Sequence, residues 1–241
     1  REERLNAIHK GEKSILYIAP EMLLTTSLET LLGGRRLGLF VVDEAHTVTS
    51  WGRDFRADYW FMGDYLERQR KNGLHFPVLC LTATAVFGGR DDVVQDTIST
   101  LGLNQPILYL GRVRRDNIDF DIHSLDKQTD ESRDEFKVNH VAQKIAEYVA
   151  EGKKTLVYCP FRSTVDSIYQ AVPFSVKDKV RRYHAGMERG EKNAAQDAFK
   201  NNKAIVMICT KAFGMGVDVP DIVQVYHYAP TGNLADYVQE I

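Results

Sequence analysis

Apolar residues in this chain come in short runs separated by longer amphipathic stretches. The runs Ile15–Ala19, Leu37–Val42, Pro77–Leu81 and Ile107–Leu110 are bounded by polar or turn residues. Runs of this length and punctuation predict strands buried on both faces. Between them, Pro20–Leu32, Tyr59–Arg70 and Asp91–Leu101 carry helical spacing. Pro20 suits a first helical turn. In the third stretch Val93, Val94, Ile98 and Leu101 fall on one helix face. A polar, aperiodic seam follows, and then a second series begins. Ile118–Ser124 alternates like a strand. Val138–Glu151 is helical, with Val141, Ile145 and Val149 one face apart. Strands are predicted at Thr155–Cys159, Val180–Tyr183, Ala204–Cys209 and Ile222–Tyr226, and helices at Ser163–Ala171, Arg189–Asn201 and Leu234–Ile241. Strand–helix alternation predicts an α/β fold with mostly parallel sheets and right-handed crossovers. The two series are alike in plan, so two domains are expected, residues 1–112 and 113–241.

Composition narrows the picture modestly. With 241 residues, 44% hydrophobic and 27% charged, the chain can bury one large or two ordinary cores. The net charge of −2 leaves no global basic footprint, so a nucleic-acid partner would be held by local groups. Cys80, Cys159 and Cys209 are far apart, each within an apolar run, and no C-x-x-C occurs. That pattern predicts reduced thiols and neither a disulfide framework nor a zinc site. No signal peptide or membrane-length apolar run is present, so an intracellular protein is expected: cytoplasm or nucleoid, or the nucleus of a eukaryote. The chain opens on Arg1 and closes inside a helical pattern at Ile241, which reads as a fragment.

The chemistry concentrates at residues 43–46, D-E-A-H, directly after the apolar run Leu37–Val42. Carboxylates there would stand at the carboxyl end of a strand, where open α/β sheets bind ligands. Adjacent acids suit Mg-nucleotide chemistry: one holds the metal's water shell and the other polarises an attacking water. For D-E alone, a helix-capping turn is the better reading. The aromatic and basic tail W-G-R-D-F-R at 51–56 reverses that preference. No G-x-x-x-x-G-K-[ST] pattern occurs. The nearest approach, Gly152-Lys153-Lys154-Thr155, precedes a strand instead of following one and reads as a helix end with basic residues in its last turn.

Further motifs stand in fixed order: A-P-E-M-L at 19–23, L-T-A-T-A at 81–85, Y-C-P-F-R-S at 158–163, Y-H-A-G-M at 183–187, A-F-G-M-G-V-D-V-P-D at 212–221 and Y-V-Q-E-I at 237–241. With D-E-A-H, this order resembles the superfamily 2 helicases and looks most like the RecQ family. The resemblance spans essentially the whole chain. It implies two RecA-like domains of the P-loop NTPase type, the first incomplete at its N-terminus. It implies an ATP-dependent DNA helicase, moving 3′ to 5′, with ATP and Mg²⁺ as cofactors and single-stranded and duplex DNA as partners. It says nothing of protein partners, and no membrane partner is expected.

Roles follow from the resemblance residue by residue. Asp43 would hold Mg²⁺ through water, and Glu44 would be the general base. His46 would link the nucleotide to Thr82 and Thr84. Trp51, Arg53, Phe55 and Arg56 resemble an aromatic-rich loop that senses single-stranded DNA, with rings to stack on bases and cations for phosphates. Arg162, His184, Gly186, Thr210 and Lys211 match nucleic-acid backbone contacts of the second domain. Gly214, Gly216 and Asp218 match a loop closing on the nucleotide, and Gln239 matches the start of the last helicase motif. The chain departs from the family pattern at Ser50, Arg53 and Asp218, the last being more like the DEAD-box pattern. The absent phosphate loop and arginine finger predict an inactive segment and exposed apolar surface in the first domain. Two other readings stay open: a non-hydrolysing, helicase-derived nucleic-acid clamp, and an RNA-directed ATPase of the same superfamily.

Overall fold

A computed structural model describes residues 2–48, 57–85, 87–88, 92–111, 115–124, 132–214, 219–232 and 234–241. The chain divides into two compact units, residues 1–113 and 114–241. The first contains α1 (Glu2–His9), α2 (Glu21–Thr25), α3 (Leu28–Leu32), β1 (Phe40–Val42), a 3₁₀ turn (Ala45–Val48), α4 (Ala57–Lys71), β2 (Val78–Cys80) and α5 (Val93–Thr100). Strands β1 and β2 are parallel, with Phe40 opposite Val78 and Val42 opposite Cys80. Side chains alternate across a strand, so Phe40 and Val42 enter the core with Leu23, Leu31, Leu66 and Leu101. The opposite face carries Leu39, Val41, Leu79 and Leu81, all substantially exposed.

Three expectations need correction here. The stretch Pro20–Leu32 forms two helices, not one. Thr26 is extended, and Ser27 Oγ accepts from Thr30 N at 3.2 Å, which starts a new helix. Gly33, at a left-handed φ of 59°, ends it. Ile15–Ala19 and Ile107–Leu110 are not strands. Tyr17 and Tyr109 are about nine-tenths exposed, and among the described residues neither segment has a ladder partner. An apolar run becomes a strand only when a neighbour satisfies its backbone groups.

The second unit contains α6 (Arg133–Ala150), β3 (Thr155–Tyr158), α7 (Arg162–Ala171), a 3₁₀ turn (Phe174–Lys179), β4 (Val180–Tyr183), α8 (Arg189–Lys200), β5 (Val206–Cys209), β6 (Gln224–His227) and α9 (Leu234–Glu240). The four strands are all parallel, in the order β4-β5-β3-β6. Both faces are covered. Val157, Cys159, Val206 and Ile208 pack with Val141, Ile145, Val165 and Ile168 of α6 and α7. Leu156, Tyr158, Met207 and Cys209 pack with Ala195 and Phe199 of α8 and with Phe213. This is why the strands read as continuous apolar runs. Burial pushes the Cys159 thiol up to about 12 and raises the Cys209 thiol well above its ordinary value. Neither is a nucleophile near neutral pH. Cys80 is only half buried.

Helix α6 starts ahead of its apolar periodicity because Ser132 Oγ accepts from Glu135 N at 3.2 Å. The expected strand Ile118–Ser124 is absent, and Ile122 is almost fully exposed. The Gly152–Thr155 stretch also differs from expectation. α6 closes at Gly152, with φ 66°, and Lys154 lies beyond it, buried. Its Nζ donates to Asn202 Oδ1 at 2.6 Å and Asp221 Oδ1 at 2.7 Å and sits 4.9 Å from the Phe199 ring centroid. The Lys154 ammonium holds the Asp221 carboxyl below the usual carboxylate range. A lysine so placed ties the entry of β3 to the loops before β5 and β6.

Gly63, in the middle of α4, explains its own presence. A Cβ there would stand 1.8 Å from the Thr100 carbonyl oxygen at the end of α5. Alanine would add about 1 kcal/mol of helix propensity, yet overpacking against backbone costs about 1–3 kcal/mol. With so short an approach the steric term wins. Gly63→Ala is expected to lower the stability of the first unit by about 1–2 kcal/mol net, read as a lower urea midpoint at unchanged m-value. A neutral or stabilising result would refute the close approach.

Candidate nucleotide and nucleic-acid sites

In the first unit the parallel register carries straight into the D-E-A-H turn. Leu81 N donates to Val42 O and Ala45 N donates to Leu81 O, both at 2.9 Å. These bonds hold residues 43–46 against the segment after β2. Asp43 and Glu44 are exposed at the carboxyl end of β1. Glu44 takes a left-handed φ of 49°, and its N–H donates to Asp43 Oδ1 at 3.0 Å. A non-glycine residue in that region costs free energy, and such strain concentrates at functional sites.

His46 is buried beneath the two acids. Its Nδ1 lies 2.9 Å from Thr82 Oγ1, 3.1 Å from Thr84 Oγ1 and 3.3 Å from Glu44 Oε2. Thr84 N donates to Thr82 Oγ1 at 3.2 Å, so the two threonines form one small turn. Three oxygens from two segments thus converge on one ring nitrogen. Burial pushes the His46 pKa down, and the Glu44 carboxylate opposes that shift. Asp43 and Glu44 fit a magnesium nucleotide. That ion takes one or two carboxylates and fills its remaining positions with water and phosphate oxygens. Among the described residues no group of three or more His, Cys, Asp or Glu side chains forms a protein-only metal cage.

In the second unit Tyr183, Cys209, Tyr158 and His227 lie opposite one another across the sheet. The residues just past them therefore line one edge. His184 and Gly186 follow β4, Thr210 and Lys211 follow β5, and Arg162 follows β3. A Cβ on Gly186 would lie 3.3 Å from Arg162 Nη1 and 3.2 Å from His184 Nδ1, which places those three side by side. Gly186 N donates to His184 Nδ1 at 3.2 Å, and His184 Nε2 lies 3.3 Å from Asp166 Oδ1. His184 is 7% exposed with both ring nitrogens engaged, so it braces the turn at 184–187. Arg162 is exposed. Thr210 N donates to Tyr183 O at 3.2 Å, and Lys211 Nζ lies 3.6 Å from Asp236 Oδ2 on α9. Gly214 approaches Tyr158, whose hydroxyl would stand 3.0 Å from an added Cβ. Gln239 is exposed on α9.

The residues Trp51, Arg53, Phe55, Arg56, Gly216 and Asp218 lie outside the described residues. One residue that motif reading passed over is Asp166. It joins Arg182 in an ion pair and His184 in a second charged contact. Its signal was present: Asp166 stands four residues after Arg162, on the same face of α7.

Comparison with known proteins agrees with this geometry. Residues 1–91 match the family described as DEAD/DEAH box helicase, and residues 137–241 match the helicase conserved C-terminal domain. The "Probable ATP-dependent DNA helicase RecS" of Bacillus subtilis is 34% identical over all of this chain and 45% of its own length. The "ATP-dependent DNA helicase RecQ" of Pasteurella multocida is 30% identical over 98% of this chain and 34% of its own. The chain thus carries both conserved helicase regions and is similar along its whole length to RecQ-type DNA helicases. It spans less than half the length of these two relatives. In fold, it matches S. cerevisiae Dbp5 bound to RNA and ADP BeF3 with a TM-score of 0.62 at 18% identity, over 92% of this chain and 54% of that one. The two units are RecA-like helicase domains. No helix among the described residues is long and apolar enough to cross a membrane.

The lowered pKa of His46 has a pH consequence for this RecQ-like chain. A histidine whose folded value is depressed contributes stability that is fully present above its unfolded value of about 6.5. That contribution is lost as pH falls through the folded value. His46→Asn removes the titrating ring. The variant is expected to lose less stability than the parent between pH 7.5 and pH 5, measured by urea unfolding of the first unit. Equal losses in both proteins would refute the assignment.

Proposed function

We propose that this chain is the motor region of an ATP-dependent, RecQ-like DNA helicase. The reading rests chiefly on the convergence of Thr82, Thr84 and Glu44 on buried His46, beneath the acids at the carboxyl end of β1. Asp43 would hold Mg²⁺ through water. The bound metal would neutralise charge on the transferring phosphoryl group. Glu44 would orient and deprotonate the attacking water. His46 would sense Glu44 and the 82–84 turn through one ring nitrogen, Nδ1. A change at the carboxylate is therefore felt by a second segment of chain.

In the second unit Arg162, Thr210 and Lys211 would hold phosphates of a single strand without reading its sequence. Trp51 and Phe55 would stack on bases, with Arg53 and Arg56 beside them. Gly214, Gly216, Asp218 and Gln239 would face the nucleotide. Hydrolysis would drive translocation on single-stranded DNA, 3′ to 5′, and separation of the duplex ahead.

ATP hydrolysis by the full-length protein, with and without single-stranded DNA, tests the reading. Turnover should be DNA-stimulated, and Glu44→Gln should reduce it about 10²- to 10⁴-fold, the usual range for a general base. DNA binding without turnover in either protein would make the chain a non-hydrolysing clamp. Stronger stimulation by RNA would make it an RNA-directed ATPase. Residues 1–241 contain no phosphate-loop pattern, so the isolated segment is expected to release no phosphate from ATP. Magnesium-dependent turnover by the purified segment would overturn that expectation.

A further inference from the structure

The turn between β3 and α7 carries an aromatic side chain that neither core of the second unit uses. Phe161 is 68% exposed, although its neighbours in sequence are firmly placed. Cys159 N donates to Cys209 O at 2.8 Å, so the chain is still tied to the sheet one residue beyond β3. Pro160 then restricts the backbone. Phe161 itself is extended (φ −127°, ψ 151°), and its carbonyl accepts from Val165 N at 3.2 Å as α7 begins. The ring thus projects from a backbone fixed on both sides. Ordering it against a ligand costs only two side-chain torsions.

Its place is as telling as its exposure. Phe161 stands at the carboxyl end of β3, a strand hydrogen-bonded on both sides in the sheet, where open α/β sheets bind ligands. The next residue, Arg162, is exposed and reaches to the open face of Gly186. An exposed apolar ring on a fixed backbone, next to a guanidinium, is the pairing that single-stranded nucleic acid selects. The cation takes a phosphate, and the ring takes the face of any base. A surface serving phosphates alone gains nothing from an exposed phenyl group.

We propose that Phe161 is a base-stacking residue and that, with Arg162, it holds one nucleotide of a single strand on the second unit. The inference rests on the nucleic-acid reading above and adds a sequence-tolerant base contact to it. Asp166 supports the pair indirectly. It holds His184, whose Nδ1 accepts from Gly186 N and so fixes the surface against which Arg162 lies.

The test is fluorescence anisotropy on the full-length protein, with a labelled dT oligomer and an abasic oligomer of equal length. Phe161→Ala should weaken dT binding about fivefold or more, the loss of one stacked base, and leave abasic binding unchanged. Phe161→Trp should retain dT binding. Arg162→Gln should weaken both and reduce the log–log salt slope by about 0.7, one phosphate of a single strand. Circular dichroism melting checks that each variant is folded. If Phe161→Ala leaves dT binding intact while Arg162→Gln weakens both, the stacking role is wrong and the phosphate contact stands. Equal losses on dT and abasic strands after Phe161→Ala would mean the ring only supports the turn. If the parent protein binds neither oligomer, the nucleic-acid reading fails and this inference with it.

Discussion

Tyr183, Cys209, Tyr158 and His227 lie in one row across four parallel strands, and the functional geometry of the second unit depends on that alignment. In a parallel sheet every strand ends on the same side. Residues that follow strands far apart in sequence are thereby brought to one edge. Arg162, Gly186 and Thr210 meet there through backbone register, with no direct bond among them required. The same constraint acts in the first unit on a smaller scale. The β1–β2 ladder runs on through Leu81 and Ala45, and this delivers Thr82 and Thr84 to His46.

Polar groups just beneath these edges are satisfied by one another. Three oxygens approach His46 Nδ1, and His184 is engaged at both nitrogens. Burying such groups is costly unless each finds a partner. Removal of one partner therefore disturbs the others, which makes each cluster behave as a unit. The exposed groups around them, Asp43, Glu44, Arg162 and Lys211, stand on a braced platform. Lys154 performs the corresponding task at the opposite end of the second sheet, where it joins the entry to β3 with Asn202 and Asp221.

The units differ in how completely their sheets are covered. In the second, α6 and α7 cover one face while α8 and Phe213 cover the other. In the first, Leu39, Val41, Leu79 and Leu81 stay substantially exposed among the described residues. Exposed apolar surface of this kind forfeits the transfer free energy that burial supplies. Among the described residues the second unit has the larger share of the largest fully buried side chains, among them Phe199, Phe213, Met207 and Ile208.

The α/β class, the strands from Thr155 to Cys209 and the positions of the acids were legible because each depends on local pattern. An apolar run ending in D-E needs no knowledge of distant residues. Pairing was not legible. Ile15–Ala19, Ile107–Leu110 and Ile118–Ser124 have strand-like composition, yet a strand exists only where a second segment completes its ladder. The split of Pro20–Leu32 at Ser27 was decided by a cap whose hydroxyl could equally have faced solvent. The pairings of Asp166 and Lys154 were not legible for a related reason: their partners are remote in sequence, Arg182 and His184 for one, Asn202 and Asp221 for the other. The sequence by itself determined which residue types were available and where helices and strands were affordable. Only the tertiary structure decided which of them met, because long-range pairing depends on the closure of loops between segments whose local preferences do not encode each other.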